Sequence, residues 1–132
     1  MKKKWILAGV AVGLVAVAVL LAVLLTKALY PHWINADQVE RISVSGESCS
    51  REHLERFVEL FNGAKYKGED IGYGTTTEWS VGVYFTDGTY FLVHEYGNYN
   101  FMVNRYKGVE RVETFFVNSR ELYEFLDGWS QE

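Results

Sequence analysis

Hydrophobic and polar positions alternate on two very different scales along this chain. From Ile6 to Leu25 there is no charged residue, and Val, Ala and Leu dominate. Twenty helical residues rise about 30 Å, the thickness of a bilayer's hydrocarbon core. The glycines and valines of this run are poor helix formers in water. In lipid a lone segment must satisfy its backbone internally, and a helix is its only means. Residues 1–27 are therefore read as a cytoplasmic tip and a single-pass transmembrane anchor, with residues 6–25 in the membrane. Tyr30-Pro31-His32-Trp33-Ile34-Asn35 follows, and Pro31 prevents simple continuation of the helix. Residues 28–37 read as a juxtamembrane linker, short enough to keep residues 38–132 near the bilayer.

Beyond the linker the periods shorten. Val39, Ile42 and Val44 around polar neighbours predict a first strand. Ser50 can cap a helix with Glu52 in its first turn, and Leu54, Phe57, Val58 and Phe61 supply a stripe at i, i+3, i+4, i+7. Asn62-Gly63 ends it. Residues 64–75 mix Lys65, Lys67, Glu69 and Asp70 with Gly68, Gly72 and Gly74, which predicts a flexible loop. Glu78–Phe85 and Thr89–Tyr96 around Asp87-Gly88 give the clearest hairpin signal. Strands are expected at Phe101–Tyr106 and Val109–Val117. Asn118, with Glu121 in capping-box position, opens a last helix whose stripe is Leu122, Phe125, Leu126 and Trp129. The order β-α-β-β-β-β-α predicts an α+β domain: an antiparallel sheet with both helices packed on one face.

Hairpin register decides which residues share a face. A type I turn with Gly88 as a G1 bulge pairs Val83 with Phe91 and Val81 with Val93, matching apolar with apolar. Trp79, Val81, Val83, Phe85, Phe91 and Val93 then face the helices. Ser80, Gly82, Tyr84, Tyr90, Leu92, His94 and Tyr96 take the opposite face. A sheet covered on one side should be polar on the other. Tyrosines and a leucine there mark Tyr84, Tyr90, Leu92, His94 and Tyr96 as a candidate binding face for a protein partner. Cross-strand pairing for sheet stability is the alternative, as is coverage of the face by the 64–75 loop.

Charge sharpens the picture. Lys2, Lys3 and Lys4 precede the apolar run and only Lys27 follows closely. The positive-inside rule then puts the N-terminus in the cytoplasm and the domain outside the cell membrane. Trp5 on one side, and Tyr30 and Trp33 on the other, suit the two interfaces. Thr26-Lys27-Ala28 offers an alternative, cleavage near Ala28 and secretion, although the apolar run exceeds that of a usual signal peptide. Gly9 and Gly13 form a GxxxG pair, a candidate face for a homodimer or for packing into a larger membrane complex. Outside the anchor region lie nine basic and seventeen acidic residues, a formal charge of −8 against −4 for the whole chain. That argues against nucleic acid and against anionic lipid as a ligand, since both need a cationic surface.

Candidate chemistry is sparse. Cys49 is the only cysteine and cannot form an internal disulfide. His32, His53 and His94 lack the spacing and third ligand of a metal site, so no metal is expected. His94 and Glu95 point to opposite faces of a strand. No nucleophile elbow, P-loop or dinucleotide fingerprint occurs. Gly72-Tyr73-Gly74 lacks the Lys and helix of a phosphate loop. Neither enzymatic activity nor a cofactor is expected.

The anchor from Met1 to Leu25, the strand–helix opening Val39–Gly63, the Phe85-Thr86-Asp87-Gly88-Thr89 hairpin and the closing Asn118-Ser119 helix together give the chain its plan. In that plan it resembles small membrane-anchored extracytoplasmic proteins of Gram-positive bacteria. The resemblance implies location and fold, and carries no functional residue with it. Two further readings stand beside a protein-binding module: a sensor of a small ligand or cell-wall fragment with residues 64–75 as a lid, and an accessory subunit of a membrane complex.

Overall fold

A computed structural model describes residues 2–29, 31–68 and 80–130. The chain forms two compact units, one ending at Pro31 and one running from His32 to Glu132. The first is a single helix, α1 (Lys2–Leu29), whose 28 residues extend about 42 Å. Its stretch Lys3–Leu25 is long and apolar enough to cross a membrane. The large apolar side chains from Trp5 to Leu25 are all exposed, and open space surrounds Gly9 and Gly13. In water such a surface would be strongly unfavourable, and in a bilayer it is the lipid-facing surface.

The second unit contains β1 (Val39–Val44), β2 (Glu47–Ser48), α2 (Arg51–Asn62), β3 (Lys65–Gly68), β4 (Ser80–Phe85), β5 (Thr89–Gly97), β6 (Asn100–Lys107), β7 (Glu110–Asn118) and α3 (Arg120–Ser130). The strands form one seven-stranded sheet in the order β2-β1-β4-β5-β6-β7-β3. Every neighbouring pair is antiparallel. The α+β domain read from the sequence is thus present, widened by two short edge strands. One of these, β3, takes up part of the expected 64–75 loop. Residues 69–75, on which the lid reading depends, and Trp79 lie outside the described residues.

The central hairpin has the bulged register. Val81 pairs with Val93 and Val83 with Phe91. Gly88, at φ 89, donates its N–H to the Phe85 carbonyl, and Asp87 Oδ1 accepts from both the backbone and the hydroxyl of Thr89. A residue with a Cβ would be strained at that φ, so the Asp-Gly pair fixes the turn and the turn fixes the faces.

Val81, Val83, Val93, Val103, Phe101 and Val117 are completely buried on the inner face. The stripe of α2 (Leu54, Phe57, Val58, Phe61) and that of α3 (Leu122, Leu126) join them in a single core, so both helices cover the same face. Ser50 caps α2, its Oγ accepting from the His53 N–H at 3.3 Å. At α3 the expected cap is displaced by one residue. Ser119 Oγ accepts from the Leu122 N–H, while Asn118 ends β7 and donates to Asn98 O and Asn100 Oδ1. The capping box with Glu121 is therefore not formed, although Glu121 still lies in the first turn.

The domain also begins earlier than its hydropathy suggests. His32 is 2 % exposed and Ile34 7 %. Asn62, itself buried at the end of α2, clamps Ile34 with two bonds of 2.8 Å: its Oδ1 accepts the Ile34 N–H, and its Nδ2 donates to the Ile34 carbonyl. The His32 ring stacks on Tyr66 and meets Phe61 edge-on. Residues 32–38 thus form a strap docked on the domain, and the part of the expected 28–37 linker from His32 onward is not a free tether. Burial holds the His32 imidazole below the ordinary histidine pKa, opposed by backbone groups of Phe61, Asn62 and Ala64.

Candidate functional site

With the helices and the strap on the inner face, the outer face of the sheet shows what the hairpin register puts there. Tyr84, Tyr90, Leu92, His94 and Tyr96 are all half-buried and retain solvent exposure. Cross-strand pairing extends this set in two directions that the hairpin alone does not reveal.

Tyr84 is opposite Tyr90, and Tyr90 opposite Tyr106. Their rings stack in a row, with centroids 5.7 Å and 5.2 Å apart and interplanar angles of 27° and 8°. Arg41, the β1 partner of Tyr84, places its guanidinium 4.1 Å from the Tyr84 ring centroid. The Tyr90 hydroxyl donates to the Gly108 carbonyl at 3.0 Å. Gly82 makes room for this row. A Cβ there would lie 2.7 Å from Tyr84 Cε2, so the tyrosine ring covers the glycine. Tyr106 and Arg41 were not singled out by sequence, because strand pairing, and not periodicity, brings them beside Tyr84 and Tyr90.

A second zone lies four pairs further along the strands, from Tyr90 to His94. His94 is opposite Ser80 and Met102, and Met102 is opposite Phe116. The Tyr96 ring packs on Phe116 with centroids 5.2 Å apart. Leu92 sits between the two zones, paired with Gly82 and Asn104. Asn104 is buried, and its Oδ1 accepts the Thr114 hydroxyl at 2.6 Å. Partial burial lowers the His94 pKa. Glu95 pairs with the core residue Phe101 and so belongs to the opposite face.

The rings of the tyrosine row face one another, which leaves their edges toward solvent. The face therefore combines apolar edges, hydroxyls, a guanidinium and an imidazole on the central strands of the sheet. Such a surface offers shape and hydrogen-bonding groups rather than reactive ones. Among the described residues no hydrogen bond joins His94 to the Ser80 hydroxyl opposite it, and no group of three His, Cys, Asp or Glu side chains could hold a metal ion. His53 packs against Trp129 and Phe125 where α2 meets α3. Cys49 is half-buried, and desolvation raises its thiol pKa, which disfavours the reactive thiolate.

A shallow cleft of about 340 Å³ lies on the other side of the sheet, between the strap and the β4–β5 turn, with Trp33, Phe85, Asp87 and Arg105 in its walls. Arg105 forms a half-exposed ion pair with Glu113 at 3.7 Å. No family model matches the chain, and neither a curated protein nor a solved structure matches it significantly.

Proposed function

We propose that the protein is a membrane-tethered binding module, with its N-terminus in the cytoplasm and its α+β domain outside, presenting the outer sheet face to a protein partner. The observation that carries this reading is the contrast between the faces. The inner one is covered by two helices and the strap except at the cleft beside Arg105, while Tyr84, Tyr90, Leu92, His94 and Tyr96 on the outer one remain partly open to solvent, with no helix over them among the described residues. Large aromatic and apolar side chains that keep solvent exposure on a sheet face are characteristic of an interaction surface. The basic flank Lys2-Lys3-Lys4 supports the orientation, and the length of α1 supports retention of the anchor.

The ring geometry favours a protein over a saccharide. Sugar rings bind to open aromatic faces, whereas here Tyr84, Tyr90 and Tyr106 spend their faces on one another. A domain charge of −8 favours partners that are neutral or basic. The test is site-specific photo-crosslinking in native cells from Leu92, which stands at the centre of the face and makes no ring stack. One discrete adduct from Leu92, absent when the crosslinker is placed at the exposed Arg56 of α2, is expected. Crosslinks confined to the chain itself, or identical from both positions, would refute the reading.

A further inference from the structure

The two ends of the sheet differ in chemistry. One end carries the turns at Ser45-Gly46 and Asn98-Tyr99, with Asn118 bonded to Asn98 and Asn100. The other carries the turns at Asp87-Gly88 and Gly108-Val109, with the strap alongside. Among the described residues of the domain, the exposed large hydrophobic side chains are Trp33, Tyr99, Val109 and Val112. Three of the four belong to the second end.

Val109 is fully exposed. Gly108, at φ 65, takes the first central position of a two-residue turn closed by Lys107 and Glu110, which puts Val109 at the apex. A β-branched residue is a poor choice for such an apex, where Asn, Asp, Ser or Gly is usual. It packs on nothing, so folding does not explain it. The tip is nonetheless braced, because the Tyr90 hydroxyl bonds the Gly108 carbonyl. Val112 is skipped by the register shift that pairs Arg105 with Glu113 and Tyr106 with Arg111. Trp33 is also held outward: its neighbours His32 and Ile34 are both buried, and it remains 55 % exposed. A tryptophan left more than half exposed between two docked residues forgoes part of what burial would contribute.

We propose that this end of the domain is a lipid-contact surface, with Trp33 and Val109 entering the headgroup region of a bilayer. The inference rests on the membrane-anchored reading of α1. Chain connectivity supplies the occupant: only Tyr30 and Pro31 separate Leu29, the last residue of α1, from His32, the first docked residue of the strap. Two residues of extended chain reach about 7 Å. Tryptophan prefers the interfacial depth. Charge does not drive the contact. Arg41, Arg105, Lys107 and Arg111 at this end stand against Asp37, Glu40, Asp87, Glu110 and Glu113, so the end has no basic excess and the contact is apolar and not strengthened by low salt.

The test uses the full chain with Cys49→Ala, reconstituted in phosphatidylcholine vesicles, and an environment-sensitive fluorophore on Val109→Cys or, as a control at the opposite end, on Asn98→Cys. Flotation with the vesicles reports insertion of α1. The expected result in floated protein is blue-shifted emission from position 109 that lipid-borne nitroxides quench and that high salt leaves unchanged, with water-like emission from position 98. Water-like emission from 109 in floated protein overturns the lipid contact alone. Equal quenching at both positions overturns it too, as does a blue shift at 109 that nitroxide lipids do not quench, which indicates a protein neighbour. Failure to float overturns the anchored reading and the lipid contact with it.

Discussion

Replacing Asn62 with Leu removes the clamp on the strap while nearly keeping the side-chain shape. Two bonds of 2.8 Å are lost, and the Ile34 N–H and carbonyl are left facing an apolar group. A net hydrogen bond is worth about 1 kcal/mol, and an unsatisfied buried group costs about 1–3 kcal/mol. Left fully buried, the two groups would cost up to about 6 kcal/mol. The strap has an escape, however. It can peel away and hydrate them, forfeiting the burial of Ile34, worth about 1.5–3 kcal/mol, and the His32 contacts with Phe61 and Tyr66. The cheaper route sets the loss, so Asn62→Leu is expected to destabilise the domain by about 2–4 kcal/mol. Urea unfolding of residues 32–132 measures this total. Amide exchange at Ile34 reports the local event, and a 2 kcal/mol loss corresponds to roughly 30-fold faster exchange. An unchanged midpoint together with unchanged Ile34 exchange would show that the strap is held by something other than Asn62, and the reasoning would fail.

Acid should weaken the domain through its buried histidines. The fold holds His32 and His94 below the ordinary value of 6.5, so the unfolded chain takes up these protons first as the pH falls. Their contribution is complete above 6.5 and is lost as the pH drops through the lower folded values. His32→Phe keeps an aromatic ring and should flatten the slope of stability against pH below 6.5, as followed by urea midpoints at a series of pH values; a parent domain growing more stable on acidification would contradict this. Gly82→Ala puts a Cβ 2.7 Å from the Tyr84 ring that Arg41 and Tyr90 hold in place, so the row must shift. A cost of about 1–3 kcal/mol is expected, with loss of the tyrosine signal in the near-ultraviolet circular dichroism; an intact spectrum would show that the row does not depend on the glycine.

Much of the fold can be read from local patterns. The apolar run of α1, the stripes of α2 and α3 and the alternation in β4 and β5 are properties of neighbours in sequence, and the Asp-Gly turn fixes register within ten residues. The candidate face follows from that register, which is why Tyr84, Tyr90, Leu92, His94 and Tyr96 were legible on one side of the sheet. Three features were not. The edge strand β3 has no hydrophobic period of its own and exists because β7 offers an unpaired edge. The cap of α3 moved from Asn118 to Ser119 because Asn118 is drawn into the β5–β6 turn. The strap reads as linker because His32 and Asn35 look polar, and only the Asn62 side chain, 28 residues away from Ile34, makes its burial affordable.

By itself, then, the sequence determined a membrane-length apolar helix, the α+β class and the two faces of the central hairpin, because each depends on a period of two or 3.6 residues or on one turn. Tertiary structure alone decided what completes each face: Arg41 and Tyr106 beside the hairpin tyrosines, Phe116 beneath Tyr96, and the strap beside α2. Those contacts join residues distant in sequence, and no local preference encodes them. They form because strand pairing places side chains at neighbouring-strand spacing and because buried polar groups such as the Ile34 amide must find partners.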